Sequence, residues 1–189
     1  MGDESINLER TRFDLSDLGL LSGETEREFE IVTRNAGIIL QGCASVFCLL
    51  DAAHSSVFLR SSFVPRGRRL LPERLERSNS LFARIIEANK CVRIADVGDH
   101  PELDGTVEAS FLSYKSVLSE PVYGPAREQI GALVVLSNVP RKWAELERRE
   151  LRDQALLLSR HVLLRASLET LKRMSREREA FSKVGRFRN

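Results

Sequence analysis

Apolar positions recur at helical spacing over residues 24–41, where Phe29, Val32, Ala36, Ile39 and Leu40 share one face. Glu24, Glu26 and Glu28 occupy the first turn, where the helix dipole favours carboxylates, and Ser22 is a candidate cap. Gly42 is a plausible stop. An apolar run at 43–50, the turn Asp51-Ala52-Ala53-His54 and a second strand-length segment at 56–63 predict a hairpin. Pro65, Gly67, Pro72 and clustered arginines make 64–77 a loop. Helix returns at 78–90, with Leu81, Phe82, Ile85 and Ile86 on one face and Ser78 as cap.

A short strand is expected from Cys91 to Ala95, turn chemistry from Asp96 to Pro101 and a short helix over 106–113. Strands follow at 115–122 and 129–137, joined by a turn at Tyr123-Gly124-Pro125. Both faces of 129–137 are apolar, which places this strand centrally in a sheet covered on two sides. From Arg141 to about Phe181 no proline or glycine interrupts one long helix, about 60 Å at the usual rise. Hairpins at both ends exclude parallel crossovers, so the predicted class is α/β (α+β), an antiparallel sheet sandwiched by helices.

The long helix carries two apolar stripes. Leu151, Ala155, Leu158 and Val162 are assigned to the chain's own sheet. Leu157, His161, Leu164, Leu168 and Leu171 alternate steps of four and three, the seam of a two-stranded coiled coil, and predict a homodimer. A broad stripe on one amphipathic helix accounts for the same residues. The basic tail beyond Leu171 suits contact with nucleic acid or an anionic membrane, but such a run is more often a solvated helix end or a linker to an effector.

Composition adds limits. With 189 residues, 42% apolar, the chain favours one domain with a sizeable core, and a net charge of +2 gives no sign of a nucleic-acid partner. The acidic start lacks the apolar stretch of a signal peptide and argues against lipidation, and no run approaches a membrane span. Cys43, Cys48 and Cys91 form no CxxC pair and no metal-ligand spacing with the histidines. The expected setting is cytoplasmic. No Ser/His/Asp order, phosphate loop or HExxH motif occurs, so no enzyme and no cofactor are predicted.

From about Leu18 to Leu164 the order of elements and several phrases resemble the GAF family, in particular the bacterial sensory type found ahead of diguanylate cyclase and histidine kinase domains. The phrases are Leu18-Gly19-Leu20-Leu21, Phe29 in the first helix, Asp51 ending the first strand, Pro121 in the fourth, Ile130-Gly131-Ala132-Leu133, and Pro140-Arg141-Lys142-Trp143 before the last helix. On this likeness residues 1–22 are an arm or short helix, 23–165 the GAF-like domain and 166–189 a helical extension. Three positions depart from the pattern: Ser56-Val57-Phe58 lacks the frequent tryptophan, Ala144 replaces a capping Ser or Thr at a cost of about 1 kcal/mol, and Glu120 sits where an apolar residue is usual.

The resemblance implies a sensory or regulatory domain that binds a small molecule or partner and signals through a dimeric C-terminal helix to an effector. It places the pocket between the sheet and the 78–116 segment, lined by Phe82, Asp96, His100, Phe111, Tyr114, Val117, Ser119, Val134 and Leu136. The same residues suit plain core filling, which makes a ligand-free dimerisation scaffold the alternative. Other GAF chemistries fit poorly. Where free methionine sulfoxide reductases carry cysteines, only Cys91 is present, and their carboxylate positions hold Val117, Val134 and Leu136. Cys43 and Cys48, an odd number apart, are expected on opposite faces of one strand as buried structural residues. Residues 100–114 offer no cysteine for a bilin. Asn89-Lys90 and Phe111 match part of a cyclic-nucleotide motif, but Lys115-Ser116 replace its acids, and Asn89 is read as a helix end.

Overall fold

In a computed structural model, which describes residues 14–22, 26–64, 71–103 and 105–186, the chain forms an antiparallel sheet flanked by helices. Outside the described residues lie 1–13 of the predicted arm, Glu24 of the predicted first turn, the arginine cluster of 65–70 and Arg188. The remainder of the arm, 14–22, is a run of turns that buries Leu18 and Leu20 in the core.

The helix α1 (Arg27–Ile39) leads into β1 (Ala44–Asp51) and β2 (Ser56–Phe63), the predicted hairpin. Phe29, Val32 and Ala36 face inward, whereas Ile39 is exposed, one correction to the predicted face. Ser22 does not cap α1; its hydroxyl donates to the Gly19 carbonyl at 2.8 Å, and Glu26 holds the cap position. The left-handed residue that stops α1 is Gln41, not Gly42. Gly42 is needed for a different reason: a Cβ there would lie 2.5 Å from Val135 Cγ1.

The predicted loop before the second helix contains a short edge strand, β3 (Arg74–Glu76), paired with β2, and a 3-10 turn at Arg77–Asn79. That turn delays α2 (Leu81–Glu87), and the cap is Ser80 rather than Ser78. Asn89 ends the helical segment in a left-handed conformation, as expected. After β4 (Val92–Ile94) come 3-10 turns at Val97–Asp99 and Pro101–Leu103, then α3 (Val107–Phe111). The hairpin β5 (Ser116–Tyr123) and β6 (Gln129–Ser137) completes the sheet, and α4 (Glu145–Arg186) closes the chain over 42 residues.

The strand order is β3-β2-β1-β6-β5-β4, with every neighbouring pair antiparallel. The apolar strand β6 is central, between β1 and β5. One sheet face packs on α2 and the 97–114 segment, the other on α1 and α4. Cys43 and Cys48 both join the first layer, against the expected opposite faces, because Cys43 precedes β1 and strand alternation does not extend to it.

Two of the three departures from the family pattern, Ala144 and Glu120, have partners. Without a hydroxyl at Ala144, the start of α4 is tied by the Glu147 carboxylate, which accepts from the Ala144 N–H at 2.7 Å. Glu120 is 4% exposed and accepts from Arg148 Nε at 3.0 Å.

Candidate functional site

A cleft of about 500 Å³ opens between α2 and the edge strand β4, on the side where the 78–116 segment covers the sheet. Its position follows from two local decisions. Ser80 caps α2 by accepting from the Ala83 N–H at 3.3 Å. The carboxylate of Glu108 on α3 accepts from the Leu81 and Phe82 N–H groups at 2.9 and 3.1 Å and from the Ser80 hydroxyl. A fully buried carboxylate therefore fixes α3 to the buried amides at the start of α2 that have no partner within the helix. Residue spacing gave no sign of this contact, since Glu108 reads as an ordinary charge in a short helix.

Leu81, Ile85, Ile94 and Leu103 give the cleft apolar walls, and Arg84, Lys90, Arg93 and His100 add positive or protonatable groups. Arg84 Nη1 donates to the Glu102 carbonyl at 2.8 Å, and His100 Nδ1 lies 2.9 Å from Glu102 Oε1. The hydrogen bond to His100 holds the Glu102 carboxyl below its usual range. Arg93 turns its guanidinium to Glu145 of α4 at 3.4 Å, which leaves Arg84, Lys90 and His100 at the rim of an apolar cleft that suits a small amphipathic molecule carrying an anionic group.

Of the residues expected in the pocket, His100 lines this cleft. Phe82, Tyr114, Val117, Val134 and Leu136 are buried together in one core cluster, with Phe111 packed against it. Ser119 is buried, and its hydroxyl accepts from the Val92 N–H at 3.2 Å. Asp96 caps the 3-10 turn at Val97–Asp99 through the Gly98 N–H at 2.9 Å. The wall residues Leu81, Ile85 and Leu103 and the cations Arg84 and Arg93 were missed by sequence reasoning. Nothing in their spacing tells a wall from a core.

The thiols do not favour nucleophilic chemistry. Burial pushes Cys48 far above the ordinary thiol range, and burial together with the neighbouring Glu120 carboxylate raises Cys91. Among the described residues no group of His, Cys, Asp and Glu is placed to hold a metal ion.

On α4 the two stripes separate. Leu151, Ala155, Leu158 and Val162 are buried against the sheet, whereas Leu157, Leu164, Leu168 and Leu171 are 40%, 57%, 48% and 62% exposed. His161 is half-buried between these stripes, its ring edge-on to Phe29 at 6.2 Å. Leu156 and Leu163 widen the exposed apolar face. No described helix is long and apolar enough to cross a membrane.

No protein-family model and no curated protein sequence matches this chain. Solved structures do. The GAF domain of a phosphoenolpyruvate-protein phosphotransferase from Coxiella burnetii superposes with a TM-score of 0.60 at 20% identity, over 83% of this chain and 96% of that one. The chain has the GAF fold. A second GAF domain, the blue-light absorbing form of Thermosynechococcus elongatus PixJ, gives 0.60 at 17% identity, over 86% and 98%. The free methionine-R-sulfoxide reductase of Neisseria meningitidis, solved with its substrate, gives 0.57 at 17% identity, over 80% and 86%. The neighbours of this fold thus include a domain of a phosphotransferase, a blue-light absorbing domain and a reductase, and the α2–β4 cleft lies in its helical cover.

Proposed function

We propose that this chain is a non-catalytic sensory or regulatory GAF domain of a cytoplasmic protein. A small molecule occupies the α2–β4 cleft, and α4 pairs with α4 of a second copy to pass the signal to an effector. The observation that carries this reading is the division of α4 into a buried stripe, Leu151 to Val162, and an exposed one, Leu157 to Leu171. A helix whose inner face answers to its own sheet and whose outer face answers to a partner couples the two. The likeness to a GAF domain of a phosphoenolpyruvate-protein phosphotransferase and to a blue-light absorbing GAF domain supports it. The reductase neighbour shares the fold, but the raised thiols of Cys48 and Cys91 argue against its chemistry here.

A ligand-free dimerisation scaffold is the second reading, favoured by the core packing of Phe82, Tyr114, Val117, Val134 and Leu136. Native mass spectrometry separates the two. A dimer carrying a mass lost on denaturation supports the sensor, and a bare dimer that binds nothing in a metabolite screen supports the scaffold. A bare monomer at every concentration overturns both.

A further inference from the structure

A second cleft, of about 750 Å³, lies on the opposite sheet face, where α4 crosses the β4–β5 edge and the β5–β6 hairpin. Four cationic side chains line it: Lys90, Arg127, Arg148 and Arg152. Two carboxylates, Glu120 and Asp153, line it with them, which leaves a surplus of two positive charges in the lining; Glu145, outside the cleft, is shared between Arg148 and Arg93 at 3.4 Å each. The cations are not an unordered surface cluster. Glu120 is buried and anchors two of them one helical turn apart, Arg148 Nε at 3.0 Å and Arg152 Nε at 3.9 Å. The hairpin is tied to α4 as well, because the Tyr123 N–H donates to Ser159 Oγ at 3.0 Å.

Two features point past structural ion pairing. Lys90 and Arg127 are exposed and make no ion pair within the described residues, so their charge is unspent. Arg127 also holds a φ of 63°, a left-handed turn position that glycine or asparagine would fill with less strain. Pro121, Tyr123 and Leu156 add an apolar wall to the same cleft.

We infer that this α4 cleft binds a small, diffusible organic phosphate. A phosphate monoester carries close to two negative charges near neutral pH and matches the surplus. Arginine forks present paired donors to its oxygens, and Tyr123 offers an aromatic face to the organic part. The ligand bridges α4 to the β5–β6 hairpin, so its binding bears directly on the helix that carries the exposed leucine stripe. The two clefts meet at Lys90 and Cys91, but Arg127, Arg148 and Arg152 line the α4 cleft alone, and Arg84 and His100 the α2–β4 cleft alone.

The test is isothermal titration calorimetry of the whole chain with phenyl phosphate, at constant ionic strength, with phenol as control. The expected result is saturable binding, none with phenol, and a loss of about tenfold or more in affinity in Arg127→Gly/Arg152→Gln. Arg84→Gln/His100→Gln, in the other cleft, should leave the affinity unchanged. Arg127→Gly alone should fold at least as well as the parent, which separates lost binding from lost structure. No saturable heat up to about 10 mM phenyl phosphate, equal binding of phenol, or an affinity unmoved by Arg127→Gly/Arg152→Gln overturns the inference. So does abolition by the Arg84→Gln/His100→Gln pair, which would move the anion to the other cleft.

Discussion

The carboxylate of Glu120, on the penultimate strand, receives Nε of Arg148, on the first turns of α4, at 3.0 Å. This pair joins the sheet to the helix that leaves the domain. Glu120 is buried, while Arg148 keeps one side toward solvent. Removing the carboxylate leaves Arg148 with only Glu145, at 3.4 Å, and Arg152 without its ion-pair partner, which costs more than losing the Glu120–Arg148 pair as a unit. Glu120→Ala should therefore lower the urea midpoint with little change in m, and Glu120→Leu with Arg148→Leu should recover most of the loss. Paired denaturation curves check this, and full recovery by Glu120→Leu alone would contradict it.

Glu108 makes a second prediction. Its carboxylate satisfies the Leu81 and Phe82 amides and the Ser80 hydroxyl with no access to water. Glu108→Ala leaves buried donors unpaired, at about 1–3 kcal/mol for the first and less for the others as water enters. A loss of about 3 kcal/mol is expected. Hydrogen exchange should localise it, with the amides of Leu81 and Phe82 losing protection before those of β6.

Acid stability should depend on Asp51. Burial opposes its ionisation, but donation from Arg74 at 2.7 Å and His54 at 2.8 Å outweighs this and holds the carboxyl below its ordinary value. Since the folded pKa lies below the unfolded one, about 3.9, the contribution is complete above that value. It is lost as pH falls through the folded value. Arg74→Gln should bring the acid unfolding transition to higher pH and leave stability at pH 7 less changed than Asp51→Ala does. Circular dichroism during acid titration reads both.

The exposed stripe of α4 gives the fourth. Leu164 is 57% exposed within one chain, so Leu164→Glu costs the monomer little. In a helix pair the same change buries a charge at the seam. The dimer dissociation constant should rise at least about a hundredfold, with the melting temperature of the monomer unchanged. Light scattering over a concentration series measures it, and a dimer as tight as the parent would place the interface elsewhere.

Much of this architecture is legible in the residues. The strands at 56–63 and 129–137 match β2 and β6 at both ends, because an apolar run bounded by turn residues leaves little freedom. One uninterrupted helix follows from the absence of proline and glycine between Arg141 and Phe181, although α4 starts only at Glu145 and runs on through Gly185 to Arg186, and its inner stripe follows from helical periodicity. The order of elements and hairpins indicated an antiparallel sheet sandwiched by helices, and together with the local phrases it indicated the GAF fold that the solved structures match.

Tertiary structure decided the rest. Which serine caps α2 depended on a 3-10 turn at Arg77–Asn79 that no local rule separates from a first helical turn. The pairing of β3 with β2 joins a short arginine-flanked segment to an edge that only the folded sheet provides. The largest gap is at the site. Periodicity says that Phe82, Val117, Val134 and Leu136 turn away from water, but it does not say whether a neighbouring side chain or a ligand meets them. Packing brought them into one core with Tyr114 and left the openings at α2–β4 and under α4. Burial and cavity are properties of two surfaces meeting, and each surface is written in a different part of the chain.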